Sequence, residues 1–205
     1  MTHPTWECLT VFEKVFGSQG LLVAGTDEVG RGPLAGPVVA CAVILKPDAH
    51  IEGLDDSKRL SAVQRKALLP AIYESAVAVG IGAAGPRTIE RVNILEAARL
   101  AMRRAIAHLE PPPKIVLSDA MTLSEQEYYT IALVRGDRRS ASIAAASVVA
   151  KEVRDRYMQD LHRQFPHYGF DQHKGYGTKS HRQALDAWGP CAAHRRTFLR
   201  QVDGA

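Results

Sequence analysis

At 205 residues, with 46% hydrophobic and 23% charged side chains, the chain has ordinary globular values, and one domain with a small subdomain is the default. No apolar run approaches the roughly 18 to 20 residues of a membrane span, and Glu7, Glu13 and Lys14 break the stretches a signal peptide would need, so a soluble cytoplasmic protein is expected. Cys8, Cys41 and Cys191 are odd in number and widely spaced, which argues against a disulfide framework and a CxxC zinc site.

The net charge of +4 is mild but gathered at Lys58-Arg59, Arg103-Arg104, Arg135 to Arg139, Lys174 to Lys179 and Arg195-Arg196. Arg103-Arg104 reads as solvated helix surface; if the other spots face one groove, a polyanionic partner follows.

In chain order, Trp6, Leu9, Val11, Phe12, Val15 and Phe16 suit a short amphipathic helix that ends at Gly17 and lies over the core. An apolar strand runs from about Val23 to Asp27 and is followed by Gly30-Arg31-Gly32-Pro33, a loop that exposes backbone. Val38 to Leu45 is a near-continuous apolar run, predicted as a central strand buried on both faces. Asp55 to Ser61 is a polar connection into a helix that Ser61 caps, with Leu68, Leu69, Ile72 and Tyr73 on its buried stripe and Pro70 inside it. Ala76 to Ala84 reads as the third strand. Thr88 is placed to cap a long helix over 89–109, stopped by Pro111-Pro112-Pro113.

Lys114 to Asp119 is a second apolar strand that ends on an acid, and a fifth strand, Thr130 to Val134, leads to Arg135-Gly136-Asp137. Ser140 to about Phe165 is an alanine-rich helix ended by Pro166. Tyr168 to Lys179 is a glycine-punctuated loop with interleaved aromatics and lysines, and Ser180 to Trp188 is a short helix before a basic C-terminal piece. The expected architecture is an α/β domain: a five-stranded mixed sheet flanked by helices over residues 1–165, with a small helical appendage over 166–205.

Asp27, Glu28, Asp119 and Asp137 all fall at the carboxyl ends of predicted strands, where open α/β sheets place their ligand crevices. A single Asp after a strand is most often a turn residue or a cap; the recurrence is what points to convergence. Oxygen-only ligands select hard cations, so Mg²⁺ is the expected cofactor, with Mn²⁺ as substitute. Four carboxylates carry enough charge for two ions roughly 3.5 to 4 Å apart, the arrangement that hydrolyses phosphodiesters.

Asp155 and Asp160 lie inside a helix beside Arg154 and Arg156 and read as solvated ion pairs. Gly30-Arg31-Gly32 is either a tight turn or a close approach of backbone and one guanidinium to a sugar or phosphate. Lys58, Lys151 and Lys174 taken singly read as surface lysines. Tyr176, flanked by glycines, suits stacking on a nucleotide, with core packing as the rival reading. The eight histidines are scattered without HxxxH or HxH spacing.

Taken together, Asp27-Glu28-Val29-Gly30-Arg31-Gly32-Pro33, Asp56-Ser57-Lys58-Arg59-Leu60, Asn93-Ile94-Leu95, Asp119, Gly136-Asp137, Ser142 to Lys151 with Ser147, Tyr168-Gly169-Phe170 and His173-Lys174-Gly175-Tyr176-Gly177-Thr178 resemble bacterial ribonuclease HII. Val29, Ser118 and Met121 are less usual there, and none removes an acid. The resemblance spans about residues 20 to 198 and leaves the first twenty without a role.

It implies a ribonuclease H-like fold and a monomer that cleaves RNA in RNA–DNA hybrids and at single ribonucleotides in duplex DNA, leaving 3′-hydroxyl and 5′-phosphate ends. Asp27, Glu28, Asp119 and Asp137 would be the catalytic metal ligands. Gly30, Arg31 and Gly32 would read the 2′-hydroxyl, which separates RNA from DNA. Tyr176 would support recognition of the ribose-to-deoxyribose junction, and Lys58, Ser147, Lys174 and Thr178 would complete the substrate contacts. Whether Arg195 to Arg200 meets a sliding clamp or DNA phosphates stays open. A binding module without turnover would leave four acids facing a polyanion unexplained, and a DNA-junction nuclease would have no use for a 2′-hydroxyl reader.

Overall fold

The computed structural model describes residues 4–123 and 127–199; Arg200 of the basic C-terminal piece and residues 1–3 of the N-terminal stretch lie outside these. The two apolar runs β1 (Val23–Val29) and β2 (Val38–Leu45) pair antiparallel, with Asp27 opposite Cys41 and Glu28 opposite Ala40. β3 (Ala76–Ala84) joins β2 antiparallel, β4 (Ile115–Asp119) joins β1 parallel, and β5 (Tyr129–Leu133) joins β4 parallel, in the order β3-β2-β1-β4-β5. This is the five-stranded mixed sheet expected from the sequence.

Alternation along β2 explains its unbroken apolar run. Ala40, Ala42 and Ile44 face α5 (Ile94–Ala107) through Ala101, Met102 and Ala105, while Cys41 and Val43 face α6 (Ala141–Gln164) through residues such as Ala145 and Val149. At Gly25 the start of α6 lies directly on β1: a Cβ there would stand 2.2 Å from the backbone of Ser142 and Ile143, so only glycine permits this approach two residues before Asp27.

α1 (Trp6–Leu9) and α2 (Val11–Gly17) divide at Thr10 what the spacing predicts as one helix. α3 (Ala62–Ser75) begins at Ser61, which shares a reciprocal capping box with Gln64, but Tyr73 is 49% exposed, contrary to its place on the expected buried stripe. The helix predicted over 89–109 is two: α4 (Pro86–Val92), entered through Gly85 and Pro86 and not capped by Thr88, and α5. They separate at Asn93, whose φ of 67° breaks the helix and whose side chain accepts the amides of Leu95 and Glu96.

β1 runs on past the acids, so Asp27 and Glu28 lie within the strand and not at its end. Asp155 is also not a solvated ion pair. It is buried, and its carboxylate meets Arg65 at 3.3 Å and Lys151 at 2.6 Å, while Asp160 pairs with Arg163 on the surface.

After α6 the chain folds back through α7 (Phe170–His173), α8 (Lys179–Trp188) and α9 (Arg196–Leu199). Met158 and Leu161 of α6 pack there against Tyr168, Phe170, Ala193 and Ala35, and Ala35 pairs with His194 in a short antiparallel bridge. That contact joins the C-terminal piece to the glycine loop. Among the described residues no helix is long and apolar enough to cross a membrane.

Candidate active site

Three chain segments bring the four acids to one end of the sheet. Asp27 and Glu28 come from β1, Asp119 from the end of the adjacent β4, and Asp137 from a 3-10 turn, Gly136–Arg138, that starts at Arg135 in the left-handed region. Asp119 is the hub. Its Oδ1 accepts the Gly136 amide at 2.7 Å, which ties the end of β4 to the Asp137 turn.

Burial raises the Asp27 carboxyl well above the usual range, and the Glu28 and Asp119 carboxylates raise it further. Burial also raises Glu28; Arg31, at 3.2 Å from Glu28 Oε1, offsets part of this. Asp137 is pushed up to about 6 by burial, by Asp56 and by Asp119, against the pull of Lys58. Lys58 is the cation that the aspartates share: partial burial lowers it, but Asp27, Asp56, Asp137 and Asp119 outweigh that and its ammonium is held above the ordinary value.

The site therefore holds more negative charge than its own cations neutralise. Glu28 Oε2 is buried without a hydrogen-bond partner, and every donor atom in the acid set is oxygen. Both features fit a hard divalent cation. Among the described residues no three His, Cys, Asp or Glu side chains stand close enough together to hold an ion as they are placed.

The glycine loop after β1 is held from beneath by two buried arginines that form no ion pair among the described residues. Arg195 donates through Nε to Gly36 O at 2.9 Å, through Nη1 to Arg31 O at 2.9 Å and through Nη2 to Gly30 O at 2.6 Å. Arg154 donates to Pro37 O at 3.0 Å and Ala35 O at 3.2 Å. Gly30, at φ +95°, has no room for a side chain, since a Cβ would stand 2.2 Å from Arg154 Nε. Burial, reinforced by Arg154, lowers Arg195 to about 9. Arg195 is thus not a surface contact for phosphate: its charge is spent on fixing the carbonyls of Gly30 and Arg31, while Arg31 and Gly32 stay exposed.

Tyr176 reaches the same loop. A Cβ on Gly32 would lie 3.7 Å from Tyr176 Cε1, and the tyrosine is 44% exposed, so it is not a core side chain. A chain of neutral imidazoles sets its backbone. His181 Nδ1 faces Tyr176 O at 2.9 Å and therefore donates to it, His181 Nε2 accepts from His194 Nε2 at 3.0 Å, and His194 Nδ1 accepts the Cys191 amide at 3.0 Å. Burial, together with His181, lowers His194 to about 4. Three of the eight histidines gather here: the His173 ring stacks on His181 at 4.4 Å.

Of the remaining expected contacts, Lys58 is exposed beside the acids. Thr178 is exposed but accepts the His181 amide at 3.3 Å as the cap of α8. Ser147 is buried, accepting the Ser57 amide at 3.3 Å and so anchoring the Asp56–Lys58 loop to α6. Lys174 donates to Asp171 O and lines a groove of about 560 Å³ between α3 and α6, with Lys66, Arg156 and Arg163; none of the four acids lines it. Sequence reasoning missed Asp56, whose carboxylate helps raise Asp137, and the two buried arginines; Asp56 stood inside the Asp-Ser-Lys-Arg motif as its signal.

The sequence profile described as Ribonuclease HII matches residues 24–201. The chain belongs to the ribonuclease HII family. It is 50% identical over 198 residues to ribonuclease HII of Geobacillus thermodenitrificans, an alignment covering 94% of this chain and 74% of the relative. Among solved structures it resembles RNase HII of Archaeoglobus fulgidus, described in a complex with PCNA (TM-score 0.72, 24% identity, 85% of this chain and 94% of that one). It also resembles Bst-RNase HIII in complex with Mn²⁺ (TM-score 0.61, 19% identity, 90% and 71% of the two chains). At these identities the structural likeness speaks for the ribonuclease H fold. Family membership makes the chain a hydrolytic endoribonuclease of the ribonuclease H type, acting on RNA–DNA substrates.

Proposed function

We propose that this ribonuclease HII uses Asp27, Glu28, Asp119 and Asp137 to hold Mg²⁺ or Mn²⁺. It would cleave the RNA strand of hybrids and nick at single ribonucleotides in duplex DNA, leaving 3′-hydroxyl and 5′-phosphate ends. The observation that carries this is the meeting of four under-neutralised carboxylates with an arginine-braced glycine loop against which Tyr176 lies. A bound pair of divalent ions supplies an activated water and a stabilised leaving oxygen.

The chain's own residues do the selecting. With the carbonyls of buried Gly30 and of Arg31 turned down onto Arg195, the exposed backbone of Arg31 and Gly32 and the Arg31 guanidinium are left for the ribose and its phosphate. Tyr176 offers its ring to the sugar or base that follows. Lys58, beside the acids, draws the scissile phosphate's neighbours by charge, and Thr178 and Lys174 contact the duplex further out, while Ser147 supports Lys58 from behind.

Residues 166–205 serve as the substrate-binding appendage of the catalytic body, 1–165, and the enzyme works as a monomer in the cytoplasm. A sliding-clamp contact, for which the Archaeoglobus complex is a precedent of fold, would use neighbours of Arg195 and not its buried guanidinium.

Asp27→Asn, Asp119→Asn and Asp137→Asn are each expected to abolish Mg²⁺-dependent cleavage with the circular dichroism spectrum retained. A variant that keeps the parent rate loses its place in the site. Tyr176→Ala should slow single-ribonucleotide nicking more than hybrid cleavage; equal losses would assign the ring to packing.

A further inference from the structure

The segment before the matched family region touches the catalytic end of the sheet through one side chain. Glu13 of α2 accepts Ser140 Oγ at 2.6 Å and the Ser142 amide at 2.9 Å, through the same Oε1. Ser140 caps α6, its Oγ also accepting the Ile143 amide at 3.2 Å. A carboxylate therefore sits where the first amides of a 24-residue helix lack partners and its dipole favours negative charge. Next to it, the Arg139 guanidinium lies 5.7 Å over the Phe12 ring, a second tie between α2 and this turn.

The turn so anchored is the one that presents Asp137. The Ser140 amide donates to Gly136 O at 2.9 Å, and the Gly136 amide donates to Asp119 Oδ1 at 2.7 Å. Glu13 is thus joined by a run of hydrogen bonds, through Ser140 and Gly136, to one proposed metal ligand, and the same run carries the other. On the sheet side, the start of α6 rests on Gly25 without slack. Any shift of α6 away from Glu13 moves the Asp137 turn relative to Asp27.

We infer that Glu13 is a positioning residue for the metal site: it fixes the start of α6 and thereby the spacing of Asp119 and Asp137. This rests on the reading that these acids hold the metal. The alternative is a cap that contributes only stability.

The experiment is a calorimetric Mn²⁺ titration of the full-length protein without substrate, in the parent, Glu13→Ala and Glu13→Gln, with thermal midpoints and hybrid cleavage alongside. Glu13→Ala is expected to weaken Mn²⁺ binding about tenfold, the lower end for outer hydrogen-bond partners of metal ligands. Glu13→Gln, whose amide oxygen still accepts from Ser140 and Ser142, should lose less; it also serves if the alanine variant fails to fold. A lower midpoint with unchanged Mn²⁺ affinity in the folded variants would reduce Glu13 to a cap and overturn the inference. If the parent itself binds no Mn²⁺, or Asp137→Asn binds it as tightly, the reading of the acids fails and takes the inference with it.

Discussion

Arg195→Met is the most informative single change beneath the glycine loop. The guanidinium makes three hydrogen bonds to the carbonyls of Gly30, Arg31 and Gly36. At roughly 1.5 to 3 kcal/mol for a bond from a charged donor, these sum to about 4.5 to 9 kcal/mol. Against that stands the cost of burying a cation that has no ion-pair partner among the described residues, several kcal/mol. Methionine removes that cost but leaves three acceptors with little access to water, so a net loss of about 2 to 4 kcal/mol is expected, a large share of the roughly 5 to 15 kcal/mol that holds a typical domain.

Urea unfolding measures it, and Arg195→Lys should fall between, because one ammonium cannot meet three diverging carbonyls. Nicking at a single ribonucleotide should drop more than stability alone explains once the Gly30 and Arg31 peptides are free to turn. A methionine variant within about 0.5 kcal/mol of the parent, with nicking intact, would mean that bonds and desolvation cancel. The loop would then not depend on Arg195.

Two further outcomes follow from the same geometry. Gly25→Ala places a methyl 2.2 Å from the α6 backbone and should cost about 3 kcal/mol or more in urea unfolding, whereas Gly17→Ala, with nothing within 4 Å, should be close to neutral; equal effects would contradict the β1–α6 contact. Asp137, pushed up to about 6, must give up its proton to bind a cation, so Mn²⁺ affinity should fall about tenfold from pH 7 to pH 5. In chelator the sign reverses for stability: a raised carboxyl favours the fold when protonated, so its contribution is full below the unfolded value near 4 and is lost as pH rises through about 6. Asp137→Asn should flatten both profiles, and a parent whose Mn²⁺ affinity does not change with pH would refute the assignment.

The sheet and its acids were legible because a run of apolar residues that stops on a carboxylate is a local pattern, repeated at Asp27 and Asp119 and nearly so at Asp137. The break at Asn93 was half legible, since asparagine tolerates the left-handed region and caps helices, but the apolar period continues across it from Ile89 to Ile106 and hides the stop. Arg154 and Arg195 were not legible. Sequence reads an arginine as surface, and what buries these two is a set of carbonyls 117 to 165 residues away. Glu13 is tertiary in the same sense, its partners Ser140 and Ser142 lying 127 and 129 residues away, so no spacing announces it. The histidine chain joins residues 3 to 13 apart, but at spacings that follow no metal-ligand or helical pattern.

The central claim is that acids and glycine loop act as one site, so that a 2′-hydroxyl is read where the neighbouring phosphodiester is cut. Its most direct measurement compares two duplexes of identical sequence, one with a single ribonucleotide and one all DNA, incubated with the enzyme and Mg²⁺ and resolved for cleavage position and end chemistry. The expected result is one nick at the ribonucleotide with 3′-hydroxyl and 5′-phosphate ends, and no cleavage of the DNA control. Equal cleavage of both duplexes, or of neither under conditions where a continuous hybrid is cut, would contradict it.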